Sequence, residues 1–286
     1  MPELSTITTR PEMHFTAFVE GPADGPLVLL LHGYPQSRHT WRAQLPALAA
    51  AGFRAVAPDQ RGYSPGARPD PTDVSNYAVE HLVADVIDLA AACGRGSGRF
   101  HLVGHDWGGQ VAWRVAAAYP ERLASLTVLS RPHPAAFLRA LEAPGSDQPY
   151  RSRHHKAFLD PNTGKLLLES KAERLRRGLS EAGVPSDAVE LYVSVLGTPE
   201  AMEAALAWYR AAGGLRTAIG AVAVPTLYIW GDADSSVSRL AAEGTRDFVT
   251  GPYRFVELPG VGHFVTDQSV GRVNDLLLEH LRAHPT

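Results

Sequence analysis

The apolar residues fall into short continuous runs separated by stretches of helical spacing. Leu27, Val28, Leu29, Leu30 and Leu31 follow one another without a polar break. That is the pattern of a strand buried on both faces. Comparable runs stand at residues 54–57, 100–103, 126–129, 226–230 and 253–258, and residues 13–20 read as an earlier strand closed by a turn at 21–26. Helical stretches alternate with them. Residues 41–51 form one, with Ser37 as its cap and Gly52 as its stop. Residues 76–93 form another, capped by Ser75, with Val79, Leu82, Val83, Val86, Ile87 and Leu89 on one face. Residues 108–119 and 270–283 complete the set. Strand and helix in alternation predict an α/β fold with a mostly parallel, doubly wound sheet. Function in such sheets gathers at the carboxyl ends of the strands.

The texture changes after residue 134. From 135 to 220 no buried strand is legible, and helical segments appear at 166–179, 188–196 and 199–212. The sheet pattern then resumes. The expected organisation is therefore a core in two parts, residues 1–134 and 221–286, with a helical insertion at 135–220 lying as a lid over the strand edge. Basic residues concentrate between Arg151 and Arg177. They read as a solvated face, with attraction of anionic substrates as the alternative.

Composition narrows the function classes. The chain has 286 residues, 45% hydrophobic and 20% charged, an ordinary globular balance. A formal net charge of −3 gives no electrostatic case for nucleic acid or an anionic membrane. The single cysteine, Cys93, excludes an internal disulfide and a cysteine-rich metal site, and its place at a helix end suggests packing. Residues 1–15 lack the apolar core of a signal peptide, and no apolar run approaches the roughly 20 residues of a membrane span. A cytoplasmic protein, monomer or homodimer, is expected. The histidines lack metal-ligand spacing and no phosphate-binding glycine loop is present, so no cofactor is implied.

The chemistry centres on Gly104-His105-Asp106-Trp107-Gly108. A strand turning straight into a helix crowds the backbone, which Gly104 and Gly108 relieve, and the tip residue is pushed out of the sheet. Asp106 holds the place that serine holds in the nucleophile elbow, beside a helix N-terminus that favours its charge. Gly231-Asp232-Ala233-Asp234 follows a later strand, and Gly262-His263 follows the last. The order nucleophile, acid, histidine is that of α/β hydrolases, with His32 and Gly33 supplying a backbone turn beside the elbow.

HGYP (32–35), DQRGYS (59–64), GHDWGG (104–109), WGDAD (230–234) and GVGHF (260–264) span nearly the whole core. As a set they resemble the α/β-hydrolase branch that holds epoxide hydrolases and haloalkane and haloacetate dehalogenases. The resemblance implies that Asp106 attacks an sp³ carbon and forms an ester, which water activated by His263 then cleaves. It implies Asp234 as the acid that orients His263, favoured over Asp232 by the G-x-x-D spacing. Some dehalogenases of the branch take their acid from just after the sixth strand, where this chain has Ser130. The backbone N–H groups of Tyr34 and Trp107 would form the oxyanion hole, and both side chains would line the substrate site.

The insertion decides the leaving group. Epoxide hydrolases of the branch hold the epoxide oxygen with two tyrosines. Ala207-Trp208-Tyr209-Arg210 resembles the segment that bears the second, so Tyr209 is the expected proton donor. The first falls at His154, with Tyr150 nearby but off register, and either could bind the substrate or leaving group. A histidine there is similar to haloacetate dehalogenases, but Trp107 and Gln110 replace the two arginines with which those enzymes bind a carboxylate. The expected activity is opening of an epoxide in a small, apolar substrate to a vicinal diol. A hydrolytic dehalogenase is the alternative, and a non-catalytic ligand-binding protein of the same fold is a third reading.

Overall fold

A computed structural model describes residues 2–211 and 219–286. Eight strands form one sheet: β1 (Glu3–Arg10), β2 (Met13–Glu20), β3 (Leu27–Leu31), β4 (Arg54–Pro58), β5 (Phe100–His105), β6 (Leu123–Leu129), β7 (Thr226–Gly231) and β8 (Tyr253–Leu258). Their order is β1-β2-β4-β3-β5-β6-β7-β8. The pairs β1–β2 and β2–β4 are antiparallel, and every pair from β4 to β8 is parallel. β3, β5, β6 and β7 are buried at every position, which is why they read as unbroken apolar runs.

The sheet has a layer of helices on each face. α1 (Gln44–Ala50) and a C-terminal helix cover the side that holds Val28, Leu30, Val103 and Ile229; α2 (Val79–Ala92) and α3 (Trp107–Ala118) cover the other. Cys93 is buried at the end of α2, packed in the core.

Two local expectations are corrected, and one strand was not legible. No position of β1, ELSTITTR, is fully buried, and it exists through its ladder with β2 rather than through an apolar face. Ser37 does not cap α1. It precedes a 3₁₀ turn at Arg38–Trp41, makes no capping bond, and its Oγ is buried without a partner. Ser75 does not cap α2 either; it lies inside a 3₁₀ turn, where its N–H and Oγ both donate to the Asp73 carboxylate at 3.1 and 2.6 Å.

Between β6 and β7 the described residues contain only helices: α4 (Pro134–Glu142), α5 (Gln148–Arg151), α6 (His154–Ala157), α7 (Thr163–Glu181), α8 (Ser186–Leu196) and α9 (Pro199–Arg210). α7 is broken at Glu169–Ala172, where Ser170, Lys171 and Ala172 take left-handed φ of 52°, 61° and 62°. The expected end of the last helix, Ala212, lies outside the described residues. After β7 come α10 (Arg239–Gly244), α11 (Val265–Gln268) and α12 (Val270–Ala283), the C-terminal helix that packs beside α1.

Candidate active site

Asp106 directly follows β5 with φ 50° and ψ −115°. That conformation is strained for a residue with a Cβ and sets the side chain at the start of α3, above the carboxyl edge of the sheet. The close crossing of strand and helix excludes side chains. A Cβ on Gly104 would collide with the Gly108 carbonyl, and one on Gly33 would lie 2.5 Å from the Asp106 Cβ. The loop after β3 can therefore approach, and the Tyr34 N–H donates to Asp106 Oδ1 at 3.1 Å. Trp107 is the first residue of α3, so its N–H belongs to the turn that lacks intrahelical acceptors.

The loop after β8 brings His263 to the same place. Its Nε2 lies 3.7 Å from Asp106 Oδ2, an ion-pair distance too long for a hydrogen bond. Its Nδ1 lies 3.0 and 2.9 Å from the two Asp234 oxygens and donates to that carboxylate. Asp234 is fully buried, and its Oδ1 also accepts from the N–H groups of Ser236 (2.7 Å) and Val237 (3.0 Å). Asp232 is engaged elsewhere, accepting from the Gly260 N–H at 2.6 Å. Ser130 closes β6 with φ 52°, its Oγ buried and unpartnered.

The charges follow from these contacts. Burial alone would favour a neutral Asp106, but the His263 imidazolium overrides it and holds the carboxyl well below the usual range. Burial likewise opposes a charged His263, yet Asp234 and then Asp106 raise it to about 10. Asp106 and His263 thus rest as an ion pair. His105, whose ring centroid is 5.1 Å from that of His263, is the opposite case. Burial and the neighbouring imidazolium lower it to about 4, and its Nε2 donates to the His263 carbonyl at 2.8 Å. His32 is also a buried neutral histidine; its Nδ1 donates to the Gly33 carbonyl and its Nε2 accepts from the Gln60 N–H.

A cavity of about 270 Å³ opens beside Asp106 and His263. The insertion supplies much of its wall, including His154, Phe158, Leu167, Leu175 and Tyr209. Tyr209 on α9 packs edge-on against Tyr34, Trp107, His155 and Phe158, with ring centroids 4.8 to 5.4 Å away. Burial, reinforced by the Asp106 charge, keeps it a phenol far above neutral pH. Tyr34 also lines the cavity, and its hydroxyl donates to Met202 Sδ at 3.5 Å.

The two residues left open by the sequence are separated here. His154 lines the cavity, while its Nδ1 donates to the Arg151 carbonyl at 3.1 Å. Burial lowers its pKa, so at neutral pH the ring is uncharged and Nε2 is an acceptor. Tyr150 is 68% exposed, lies under the Arg153 guanidinium, and lines an outer depression instead of the cavity. The off-register position puts its ring on the wrong side of α5.

Four further residues surround the site without having been singled out. His105 stood inside the GHDWGG motif, and only its buried contact reveals a role. Arg131 is buried, donates to Gln110 Oε1 at 3.1 Å, and its charge favours the Asp106 carboxylate. Gln148 on α5 donates to the Ser236 carbonyl and accepts from the Ser238 N–H, both at 2.8 Å, and Arg151 donates to the Asp234 carbonyl. The loop that carries Asp234 is thus held by the insertion, and no sequence signal marks that contact. Among the described residues no group of three His, Cys, Asp or Glu side chains could hold a metal ion, and no helix is long and apolar enough to cross a membrane.

Residues 26–269 match the family model of the alpha/beta hydrolase fold. The AB hydrolase superfamily protein YfhM of Bacillus subtilis is 33% identical over 270 residues, covering 92% of each chain. Epoxide hydrolase A of Mycobacterium tuberculosis is 30% identical over 304 aligned residues, covering 91% of this chain and 92% of the relative. Among solved structures, epoxide hydrolase A from Mycobacterium thermoresistibile superposes with a TM-score of 0.81 at 26% identity, over 99% of this chain and 98% of that one. A structure described among novel epoxide hydrolases from metagenomes of hot environments superposes with 0.84 at 29% identity, covering 98% of both chains. An eight-stranded, mostly parallel sheet, an elbow at Asp106 and this set of relatives lead to one assignment: the chain belongs to the α/β-hydrolase fold family and is a hydrolase of its epoxide hydrolase-like branch.

Proposed function

We propose that the enzyme opens an epoxide to a vicinal diol through an ester on Asp106, and that the helical insertion is the cap that binds the substrate. Asp106 Oδ attacks an epoxide carbon while Tyr209 gives its proton to the departing oxygen. With the Asp106 charge consumed, His263 gives up its proton, which reprotonates the Tyr209 phenolate; the neutral imidazole then takes a proton from water, which attacks the ester carbonyl. The resulting oxyanion is held by the backbone N–H groups of Tyr34 and Trp107. Collapse releases the diol and restores the Asp106 carboxylate. The proton taken from water stays on His263, which ends the cycle charged beside the two carboxylates as it began. Asp234 keeps the imidazole oriented throughout.

The observation that supports this reading best is the seating of Asp106 between the Tyr34 N–H at 3.1 Å and His263 at 3.7 Å, on a cavity that Tyr209 also lines. The electrostatics give the steps an order. In the resting site His263 is charged because two carboxylates face it. Ester formation consumes the Asp106 charge, so the pKa of His263 falls and a base appears only when water must be activated. Tyr209 is the proton donor; His154 Nε2 can accept a hydrogen bond only from the hydroxyl formed once the ring has opened.

The test is turnover in ¹⁸O-water, first once with enzyme in excess and then through repeated additions of substrate. Label should enter the Asp106 carboxylate, because water attacks the ester carbonyl. An unlabelled Asp106 after many turnovers would mean that water attacks the substrate directly. A small panel of epoxides and alkyl halides separates diol from halide release, and halide alone would assign the dehalogenase reaction instead.

A further inference from the structure

Arg131 is the second residue after β6, the strand whose last residue, Leu129, accepts the Asp106 N–H at 3.1 Å. It packs against the first turn of α3, where a Cβ on Gly109 would lie 3.0 Å from its own. Its Nε donates to Gln110 Oε1 at 3.1 Å, and the Gln110 N–H in turn donates to the Asp106 carbonyl at 2.9 Å. The guanidinium carbon lies 4.4 Å from the centre of the Phe137 ring. A permanent cation, 6% exposed, is thus set beside the residue one helical turn past the nucleophile.

Its contacts do not balance that charge. Among the described residues no Asp or Glu lies within ion-pair distance of it, and the two acids of the site, Asp106 and Asp234, are both paired with His263. Gln110 turns its acceptor to the guanidinium, which only donates, and leaves its Nε2 buried without a partner. A buried cation held this way is costly, and an aromatic face offsets only part of the cost. The balance comes from farther off. Of the groups that favour the Arg131 charge, Asp106 acts most strongly, then Tyr209, Tyr228 and Asp234. The remaining titratable groups that face it are the neutral His154 and His155 of α6, and Arg114 of α3, which itself faces Glu80. His263 is faced by Asp234, Asp106 and the neutral His105.

With Asp106 and Asp234 negative and His263 and Arg131 positive, the charges of the resting centre cancel. They cancel again in the ester, where Asp106 and His263 are neutral, and in the tetrahedral intermediate, where an oxyanion faces a charged His263. Without Arg131 each of these states would carry one unbalanced negative charge in a buried site. We propose that Arg131 is a positioning residue that acts by charge, the fixed cation that keeps the reaction centre neutral and helps drive the proton off His263 once the ester has formed. This rests on the reading of Asp106 as the nucleophile that forms the ester.

The first measurement needs no substrate. In Asp106→Asn a neutral amide stands where the ester would, and ¹⁵N NMR follows the titration of His263 in that background with Arg131 intact, with Arg131→Met and with Arg131→Lys. Arg131→Met should raise the midpoint by about one pH unit, because a like charge that opposes the imidazolium is gone. Arg131→Lys should keep the midpoint of the parent. Arg131→Gln, which can keep the contact with Gln110, carries the same comparison if Arg131→Met does not fold. The second measurement is single-turnover ester hydrolysis against pH with Asp106 in place. The same upward shift is expected, with hydrolysis below the midpoint slowed about tenfold. An unmoved midpoint in both neutral variants would overturn the proposal. So would an equal shift in Arg131→Lys, which would make the role one of packing. A shift in the NMR titration with no ester trapped by any variant would keep the counter-charge and discard the ester reading.

Discussion

The sheet and the helical insertion place their functional groups by different means. On the sheet side, backbone ladders fix the strand ends, and contacts that only glycine permits bring Asp106 and the Tyr34 N–H together. The insertion is held by separate side-chain bonds. Trp208 Nε1 donates to the Arg61 carbonyl at 2.9 Å, the Tyr192 hydroxyl to Asp267 at 2.7 Å, and Gln148 bridges Ser236 and Ser238. A ladder is cooperative and tolerates little displacement; isolated side-chain bonds are each worth about 1 kcal/mol and can be changed singly. Substitutions at the sheet edge should therefore remove a chemical step, and substitutions in the insertion should scale one.

The largest effect is expected at His263. His263→Gln should still form the ester but not hydrolyse it. The protein should gain the mass of the substrate after mixing, and steady turnover should drop by about 10³-fold or more. Undiminished turnover would take His263 out of the reaction. The wild-type counterpart is the pH dependence of ester hydrolysis. It should rise with pH to a midpoint well below 10, because the ester has removed one of the two carboxylate charges that raise His263. A midpoint near 10 would show that the Asp106 charge is not what holds the proton.

Tyr209→Phe is the matching change in the insertion. It should slow alkylation by about 10²-fold, the scale of general-acid catalysis, without accumulating ester. If ester accumulates instead, the phenol acts on hydrolysis and the division of labour between sheet and cap fails. His154→Phe should leave the pH profile of alkylation unchanged, since the ring is already neutral at pH 7.

The next effect concerns stability. His101 and His280 lie toward the end of the sheet remote from the site, where burial lowers them to about 3 and about 4. The unfolded chain binds protons at these positions near pH 6.5 and the folded chain does not. Their contribution is present above pH 6.5 and is lost as pH falls toward the folded values. Between pH 7 and 5 each should cost about 2 kcal/mol of stability. His101→Gln should flatten the fall in Tm over that range. An unchanged slope would take His101 out of the acid sensitivity.

Gln148→Ala should have the smallest effect and is the sharpest test of the contact between the two regions. It frees the loop that carries Asp234 and should slow ester hydrolysis about tenfold, with alkylation much less affected. Equal slowing of both steps would mean that the insertion does not act through Asp234.

Much of the core is legible in the sequence because burial on both faces leaves a mark in every residue. Leu27–Leu31 reads as a strand with the bounds the structure gives it. The order of Asp106, Asp234 and His263 along the chain follows from where strands end. β1 left no such mark, since an exposed edge strand is stabilised by its partner rather than by its own side chains. The four-residue helices α5 and α6 are too brief for a period to emerge, and the left-handed break within α7 has no glycine or proline to announce it.

By itself the sequence determined the alternation of the fold, the strained turn at Asp106 and the kind of residue that follows each strand, because these depend on local sterics and on burial repeated over several positions. Only the tertiary structure decided that Asp234 rather than Asp232 meets His263, that His154 rather than Tyr150 reaches the cavity, and that His263 is charged while His105 is not. Those choices turn on distances between residues far apart in the chain. A charge is set by which neighbours share its low-dielectric surroundings, and that is a property of the folded arrangement rather than of any stretch of sequence.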